Sequence, residues 1–309
     1  MDKLTSILVV VNRSDADRLL LEKAIRLARS IGAQIYLLSC DAALAKTLQH
    51  SYNSEDAEKA WNICMSEHLS YLRTLRAAAS APDVQISIDA VCHSPLYEGI
   101  VRKAGEIHPD LIMKAPCGAH PLRRFAFDAN DWHLMRESPA TLMLVREAAW
   151  APNPKFAALV DVRGEGATGL AETIVHTSEY LALGCRAELD VIYSETSEDS
   201  AERNERAGTL QRLAREYHVP PTRTHVLSGS PEVTLPDFAA HRHYDAIVLG
   251  GLTHRKGLAP LIGTLTSKLV EALADTDFIL VKRALRGKHT GAVDLKAGPS
   301  VAWNAAFGD

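Results

Sequence analysis

Five cysteines are spread through 309 residues, Cys40, Cys64, Cys92, Cys117 and Cys185, with no C-x-x-C pair among them. An odd, unclustered set excludes a disulfide framework and suggests no zinc cage, so reduced, buried thiols are expected. Cys117, in the Gly- and Pro-bearing "KAPCGAH", is the position where a reactive sensor thiol competes with that reading. No uninterrupted apolar run reaches the ~18 residues of a membrane span. Asp2 and Lys3 lead straight into a strand-like segment instead of a signal-peptide core, so a cytoplasmic chain without membrane insertion is expected. Basic residues are not in excess, with 34 Lys and Arg against 38 Asp and Glu and a net charge of −4, which removes the broad positive face of a nucleic-acid binder. No Gly-x-x-x-x-Gly-Lys-Ser/Thr occurs, and no G-x-G-x-x-G follows a first strand, so P-loop and NAD readings fall away. Gly-x-Ser-x-Gly, paired carboxylates and His-Glu-x-x-His are missing too. No nucleophile, catalytic residue or metal ligand can be named from spacing, and the chain is not expected to be an enzyme.

What is present is one unit written twice. The apolar run "SILVVV" reads as a strand buried on both faces. After the cap candidates Ser14 and Asp15, Leu19, Leu20, Ala24, Leu27, Ala28 and Ile31 recur at helical spacing, and Gly32 closes the segment. The strand "QIYLLS", a helix over 55–79, "VQISIDAV", a helix over 95–107, "DLIMK", a helix over 131–137 and "TLMLVR" follow. The Pro-bearing "EAAWAPNPK" suits a linker, after which "FAALVDV", "AELDVIY", a helix over 199–217 and "THVL" repeat the order. The best-matched blocks are "SPLYEGIVRKAGEIHPDLIM" and "SPEVTLPDFAAHRHYDAIVL". Strand-helix alternation of this kind calls for parallel sheets covered on both faces. The predicted organisation is two α/β domains, 1–147 and 148–284, followed by an irregular tail over 285–309.

In open parallel sheets ligands bind beyond the carboxyl ends of the strands, where the connection direction reverses. In the second copy Asp161 follows the first strand, and Gly250, Gly251, Leu252 and Thr253 follow the fourth, with Gly263 and Thr264 predicted to open the last helix. Backbone N–H groups at such a helix start could hold phosphate, while Gly250 and Gly263 would let it approach the main chain. The competing reading makes Gly250 and Gly251 turn residues, Gly263 a loop residue and Thr264 an N-cap on a helix that binds nothing. His120, Arg123, Arg124, Asp128, Asp131 and His133 crowd one loop of the first copy, where solvated charges around a helix start, with Asp131 as N-cap, compete with a site. His241, His243, His254, Arg255 and Lys256 flank the glycine segment, and Arg255 or Lys256 could contact phosphate.

A duplicated β-α-β unit, an Asp after strand one and a late glycine loop resemble the tandem universal stress proteins. "DWHLMRESPATLMLV" is similar to the N-terminal domain of their UspE-like branch. That resemblance implies two doubly wound five-stranded parallel-sheet domains of the adenine nucleotide alpha hydrolase-like type, forming an internal pseudo-dimer. "TLMLVR" and "FILVKR" would meet edge to edge, covering two exposed strand edges. Nucleotide-binding members carry Gly-x-x-Gly, nine residues, then Gly-Ser/Thr, a pattern that falls here on Gly250, Thr253, Gly263 and Thr264. The resemblance places Asp161 toward the nucleoside and Ile192 near the adenine. Thr253 departs from the pattern, because its Cβ disfavours positive φ. The first copy departs further, with Asn12 in place of Asp and no glycine pattern. The implied function is a stress-response protein whose second domain binds ATP or another adenine nucleotide, with Mg2+ only alongside it and at most slow ATPase activity. The alternative is a nucleotide-independent interaction or small-ligand module. Pairing of whole chains into a homodimer is left open.

Overall fold

The computed structural model describes residues 4–48, 54–116, 127–163, 165–251 and 259–282. Its first half runs β1 (Ser6–Val11), α1 (Ala16–Ile31), β2 (Gln34–Asp41), α2 (Ala42–Leu48), α3 (Ser54–Ala79), β3 (Ile86–Cys92), α4 (Leu96–Ile107), β4 (Leu111–Lys114), α5 (Ala129–Glu137) and β5 (Thr141–Leu144). The second half runs β6 (Lys155–Leu159), α6 (Glu165–Cys185), β7 (Glu188–Glu195), α7 (Ser200–Glu216), β8 (Thr224–Ser228), α8 (Pro231–Arg242), β9 (Ala246–Gly250), α9 (Ala259–Ala272) and β10 (Asp277–Val281).

All ten strands form one sheet in the order β3-β2-β1-β4-β5-β10-β9-β6-β7-β8. Every pairing is parallel except β5 with β10, which run antiparallel with Met143 opposite Ile279. The two "last strands" therefore meet as expected, each hiding the edge that the other would leave open. Two apolar layers result, and each runs through both halves. Side chains of α1, α3, α6 and α7 cover one face, among them Leu20, Leu72, Ile174 and Leu210. Ile100, Leu134, Leu235 and Leu269 from α4, α5, α8 and α9 cover the other. Strands such as "SILVVV", buried at every position, read as continuous apolar runs because neither face meets water.

Local signals explain most of the ends. Gly32 stops α1 in the left-handed region at φ 70. The duplicated histidine of "EIHPD" and "HRHYD" plays the same backbone role in both halves, since His108 and His243 are left-handed caps at φ 48 and φ 54. The duplicated aspartate that follows ties strand starts together. Asp110 accepts from the Thr5 and Ser6 N–H groups, and Asp245 accepts from those of Ala151 and Lys155.

Three boundaries differ from the sequence expectation. The short helix α2 has no counterpart in it. α5 begins at Ala129, with Asp128 as N-cap and Asp131 completing a capping box from the third helical position; two carboxylates three residues apart both have N-terminal character, and the backbone selects the earlier one. α9 begins at Ala259, so Gly263 and Thr264 lie in its second turn and do not open it. An isolated glycine lowers helix stability by only ~1 kcal/mol, less than the burial of apolar residues along α9 returns.

The seam between the halves is polar as well as apolar. Lys23 on α1 reaches across to Asp277 on β10, its Nζ 2.8 and 3.0 Å from the two carboxylate oxygens. Asp277 also accepts from the Arg146 N–H at 2.6 Å and the Trp150 indole N–H at 2.7 Å. Arg26 donates to the carbonyls of Ala151, Pro152 and Cys185. α6 approaches α1 closely at Gly184, where an added Cβ would lie 3.2 Å from both Ile31 and Ser30.

Candidate functional site

The strand order reverses direction between β1 and β4 in the first half, and between β6 and β9 in the second. The carboxyl ends of those pairs are the positions where a doubly wound sheet receives a ligand.

In the first half this position is filled by the chain itself. Asn12, just past β1, donates from its side-chain amide to the Ala115 carbonyl past β4 at 3.2 Å. Lys114, at the end of β4, is wholly buried and donates to Asp131 at 2.7 Å and to the Ala115 carbonyl at 3.0 Å. Burial pushes the Asp131 carboxyl up, and the Lys114 ammonium opposes that shift. Asp131, weighed in sequence as the N-cap or part of a polar site, is neither the N-cap, which is Asp128, nor exposed; it completes the capping box from the third helical position and serves as the buried counter-ion of Lys114. His133 stacks on Tyr97 with ring centroids 4.4 Å apart. Cys117, His120, Arg123 and Arg124 lie outside the described residues.

The second half is built differently at every matching position. Leu249 stands in place of Lys114, and Thr266 in place of Asp131. Both are buried, and the Thr266 hydroxyl has no hydrogen-bond partner among the described residues. Asp161, in place of Asn12, does not strap β6 to β9 among the described residues. Its side chain is 48% exposed and is paired with Arg163 of its own turn, which donates to both carboxylate oxygens at 2.8 Å. The end of β7 adds a second polar group. Glu195 is buried and accepts from the Ser197 N–H at 2.7 Å, from Arg206 at 2.8 Å and from the Tyr193 hydroxyl at 3.2 Å. Burial pushes its carboxyl up, but those donors together hold it below the usual value, whereas burial beside Glu195 pushes the Tyr193 phenol up to about 12. Arg163 lies within electrostatic reach of Tyr193, Glu195 and Glu232. This charged rim was not found by sequence reasoning. The available signal was Glu195 closing the strand after the apolar "VIY", with Arg206 on the helix that follows.

The glycines have structural occupations. An added Cβ on Gly250 would lie 2.9 Å from Leu170 on α6, so the residue permits helix-on-strand packing, the close approach glycine serves within strands. Gly251 donates its N–H to the Val281 carbonyl at 2.8 Å, which occupies a donor that a phosphate would need. Ile192 is 1% exposed within β7 and packs in the core layer with Leu235 and Ala239. Thr253, His254, Arg255 and Lys256 lie outside the described residues. Of the seven residues singled out, Asp161 is an exposed functional group at the switch point, Gly250 lies at the end of the neighbouring pairing strand, and Ile192 lines the core beneath. His241 is exposed, with its Nδ1 at the Asp237 carbonyl. Among the described residues, no helix is long and apolar enough to cross a membrane.

The profile of the Universal stress protein family matches residues 3–146 and 166–282. "Universal stress protein E" of Salmonella typhi is 24% identical over 299 residues, covering 90% of this chain and 94% of the relative. Its homolog in Haemophilus influenzae is 21% identical and covers 88% and 96% of the two chains. Among solved structures, a functionally unknown protein from Pseudomonas aeruginosa superposes with a TM-score of 0.72 at 21% identity, covering 91% of this chain and 93% of that one. A universal stress protein from Archaeoglobus fulgidus gives a TM-score of 0.65 at 11% identity over 91% and 97%. The ten-stranded sheet closed at its middle by an antiparallel β5–β10 pair is thus one polypeptide's version of two modules, and the chain belongs to the universal stress protein family as a tandem member of the universal stress protein E type.

Proposed function

We propose that the second half binds an adenine nucleotide, ATP or a relative with Mg2+ entering only alongside it, as a signal and without substantial turnover. The observation that carries this reading is the difference between the two switch points. Asn12 and Lys114 close the first, whereas Asp161 leaves the second with an exposed carboxylate paired with Arg163 of its own turn. A carboxylate so placed can accept hydrogen bonds from two ribose hydroxyls, and Arg163 can swing aside at small energetic cost, since exposed ion pairs stabilise by only ~0.2–1 kcal/mol. Phosphates would then extend toward the segment bearing Thr253, Arg255 and Lys256. Titration calorimetry of the full chain with ATP, ADP and AMP tests it. Micromolar binding is expected, weakened about 10- to 100-fold in Asp161→Ala by loss of a charge-assisted hydrogen bond and strengthened in Thr253→Gly. No binding below millimolar in either wild type or Thr253→Gly removes the proposal.

One observation favours a second reading, a small-ligand module in the first half. A cavity of about 200 Å3 lies between the sheet and α4, lined by Leu8, Tyr36, Leu38, Ile88 and Ile107 with Asp89 and Lys103 at its edge. Its size suits a compact apolar ligand and is below the ~300 Å3 of drug-sized sites. Native mass spectrometry of freshly purified protein separates the two readings: retained adenine nucleotide supports the first, and a retained small apolar molecule the second.

A further inference from the structure

Past the end of β2, on the face covered by α3, three side chains of metal-binding type converge. Asp41 ends β2, while Cys64 and His68 lie four residues apart on α3 and so share one helix face. Cys64 Sγ and His68 Nε2 are each 3.2 Å from the same oxygen, Asp41 Oδ2, and one ligand atom from each residue lies within 4.8 Å of the others. Bonds of ~2.0 Å to nitrogen or oxygen and ~2.3 Å to sulfur set ligand atoms of a tetrahedral zinc site roughly 3.3–3.6 Å apart. The cluster needs to open by only tenths of an ångström on those two edges to admit an ion.

The surroundings orient each group. Ser39 Oγ, itself buried, lies 2.6 Å from His68 Nδ1, which directs Nε2 toward Asp41, as the outer partners of metal-binding histidines do. The Leu44 N–H donates to Asp41 Oδ1 at 2.7 Å, turning Oδ2 toward the helix. β2 and β3 pair with Asp41 opposite Cys92, which puts another thiol beside the mouth. His68 is buried, while Asp41 and Cys64 are half-exposed, so the base of the site is fixed and its mouth is reachable.

The geometry points to a binding site for a thiophilic divalent cation, zinc being the ion that fits a Cys-His-Asp set, with the fourth position open toward solvent. Cysteine spacing gave no hint of it, because the signal is a C-x-x-x-H helix pair completed by a residue 23 positions upstream of Cys64. The site is independent of the proposed nucleotide cleft, which lies in the other half of the sheet.

Chelator-treated full-length protein is titrated with Co2+ and then with Zn2+. Expected are one equivalent of Co2+ with a sulfur-to-cobalt charge-transfer band and intense visible d–d bands, displaced by zinc. The band is expected to vanish in Cys64→Ser, and affinity to fall about 10- to 100-fold in Ser39→Ala, which removes an outer partner only. Should a variant fail to fold, alkylation of wild-type cysteines with and without zinc gives the same answer, with selective protection of Cys64 expected. A cobalt spectrum without a thiolate band, a band that survives Cys64→Ser, or Cys64 alkylating equally fast with zinc overturns the proposal and leaves a hydrogen-bonded network.

Discussion

Lys23→Met is expected to destabilise the protein by about 3–5 kcal/mol, the range for removing one partner of a buried ion pair. Lys23 and Asp277 have side chains only 3% and 0% exposed, so the substitution leaves a buried carboxylate with two N–H donors and without its directly bonded ammonium, the Arg146 guanidinium acting on it only at longer range. The pH dependence gives a second readout. Burial pushes the Asp277 carboxyl up, to about 6 from an ordinary 3.8, although Lys23 and the two N–H donors pull it down. Because the folded state holds this proton more tightly than the unfolded chain, the contribution of Asp277 to stability is complete below pH 4. It is lost as pH rises through about 6. In Lys23→Met the folded-state carboxyl moves further up. The deficit relative to wild type should therefore be largest at neutral pH and shrink below pH 6, as urea unfolding monitored by circular dichroism at several pH values would record. A deficit under 1 kcal/mol, or one that grows on acidification, contradicts the assignment of Lys23 and Asp277 as the electrostatic tie across the seam.

Lys114→Leu should have a comparable cost, about 3–5 kcal/mol, for the same reason: both Lys114 and Asp131 are fully buried. The duplicated architecture supplies the control. The second half places Leu249 and Thr266 at the matching positions, and both are buried there. Copying that pair into the first half, as Lys114→Leu with Asp131→Thr, is expected to recover most of the loss and to leave stability within ~1–2 kcal/mol of wild type, allowing for the capping bond that Asp131 provides. Denaturant midpoints of the two single variants and the double variant form the cycle. If the double variant is as unstable as Lys114→Leu alone, the ion pair is not an exchangeable solution to filling that space.

The two pairs show why duplication was legible while its consequences were not. "DLIMK" and "DAIVL" have the same apolar pattern, so both read as strands. The one change of polarity between them, Lys114 against Leu249, says nothing about water until the surrounding helices are in place. A lysine at a strand end is ordinarily a solvated residue. Here α5 covers it, and it becomes one of the most buried side chains in the chain. Gly250 and Gly251 show the converse, a pattern whose local packing only the fold reveals. In sequence they have the composition of a phosphate cradle, yet in the fold one clears space for Leu170 and the other completes a hydrogen bond to Val281.

The sequence by itself determined the type of nearly every element and the duplication, through hydrophobic periodicity among residues a few positions apart and through blocks that match between the halves; the edge at which the copies join came from the family resemblance. The tertiary structure alone decided which charges meet, since Lys23 and Asp277 are 254 positions apart. It alone assembled Asp41, Cys64 and His68, and it distinguished Asn12, which straps β1 to β4, from Asp161, which is exposed and paired with Arg163. Distances of that kind depend on strand order and helix packing, which bring together residues that no local pattern connects.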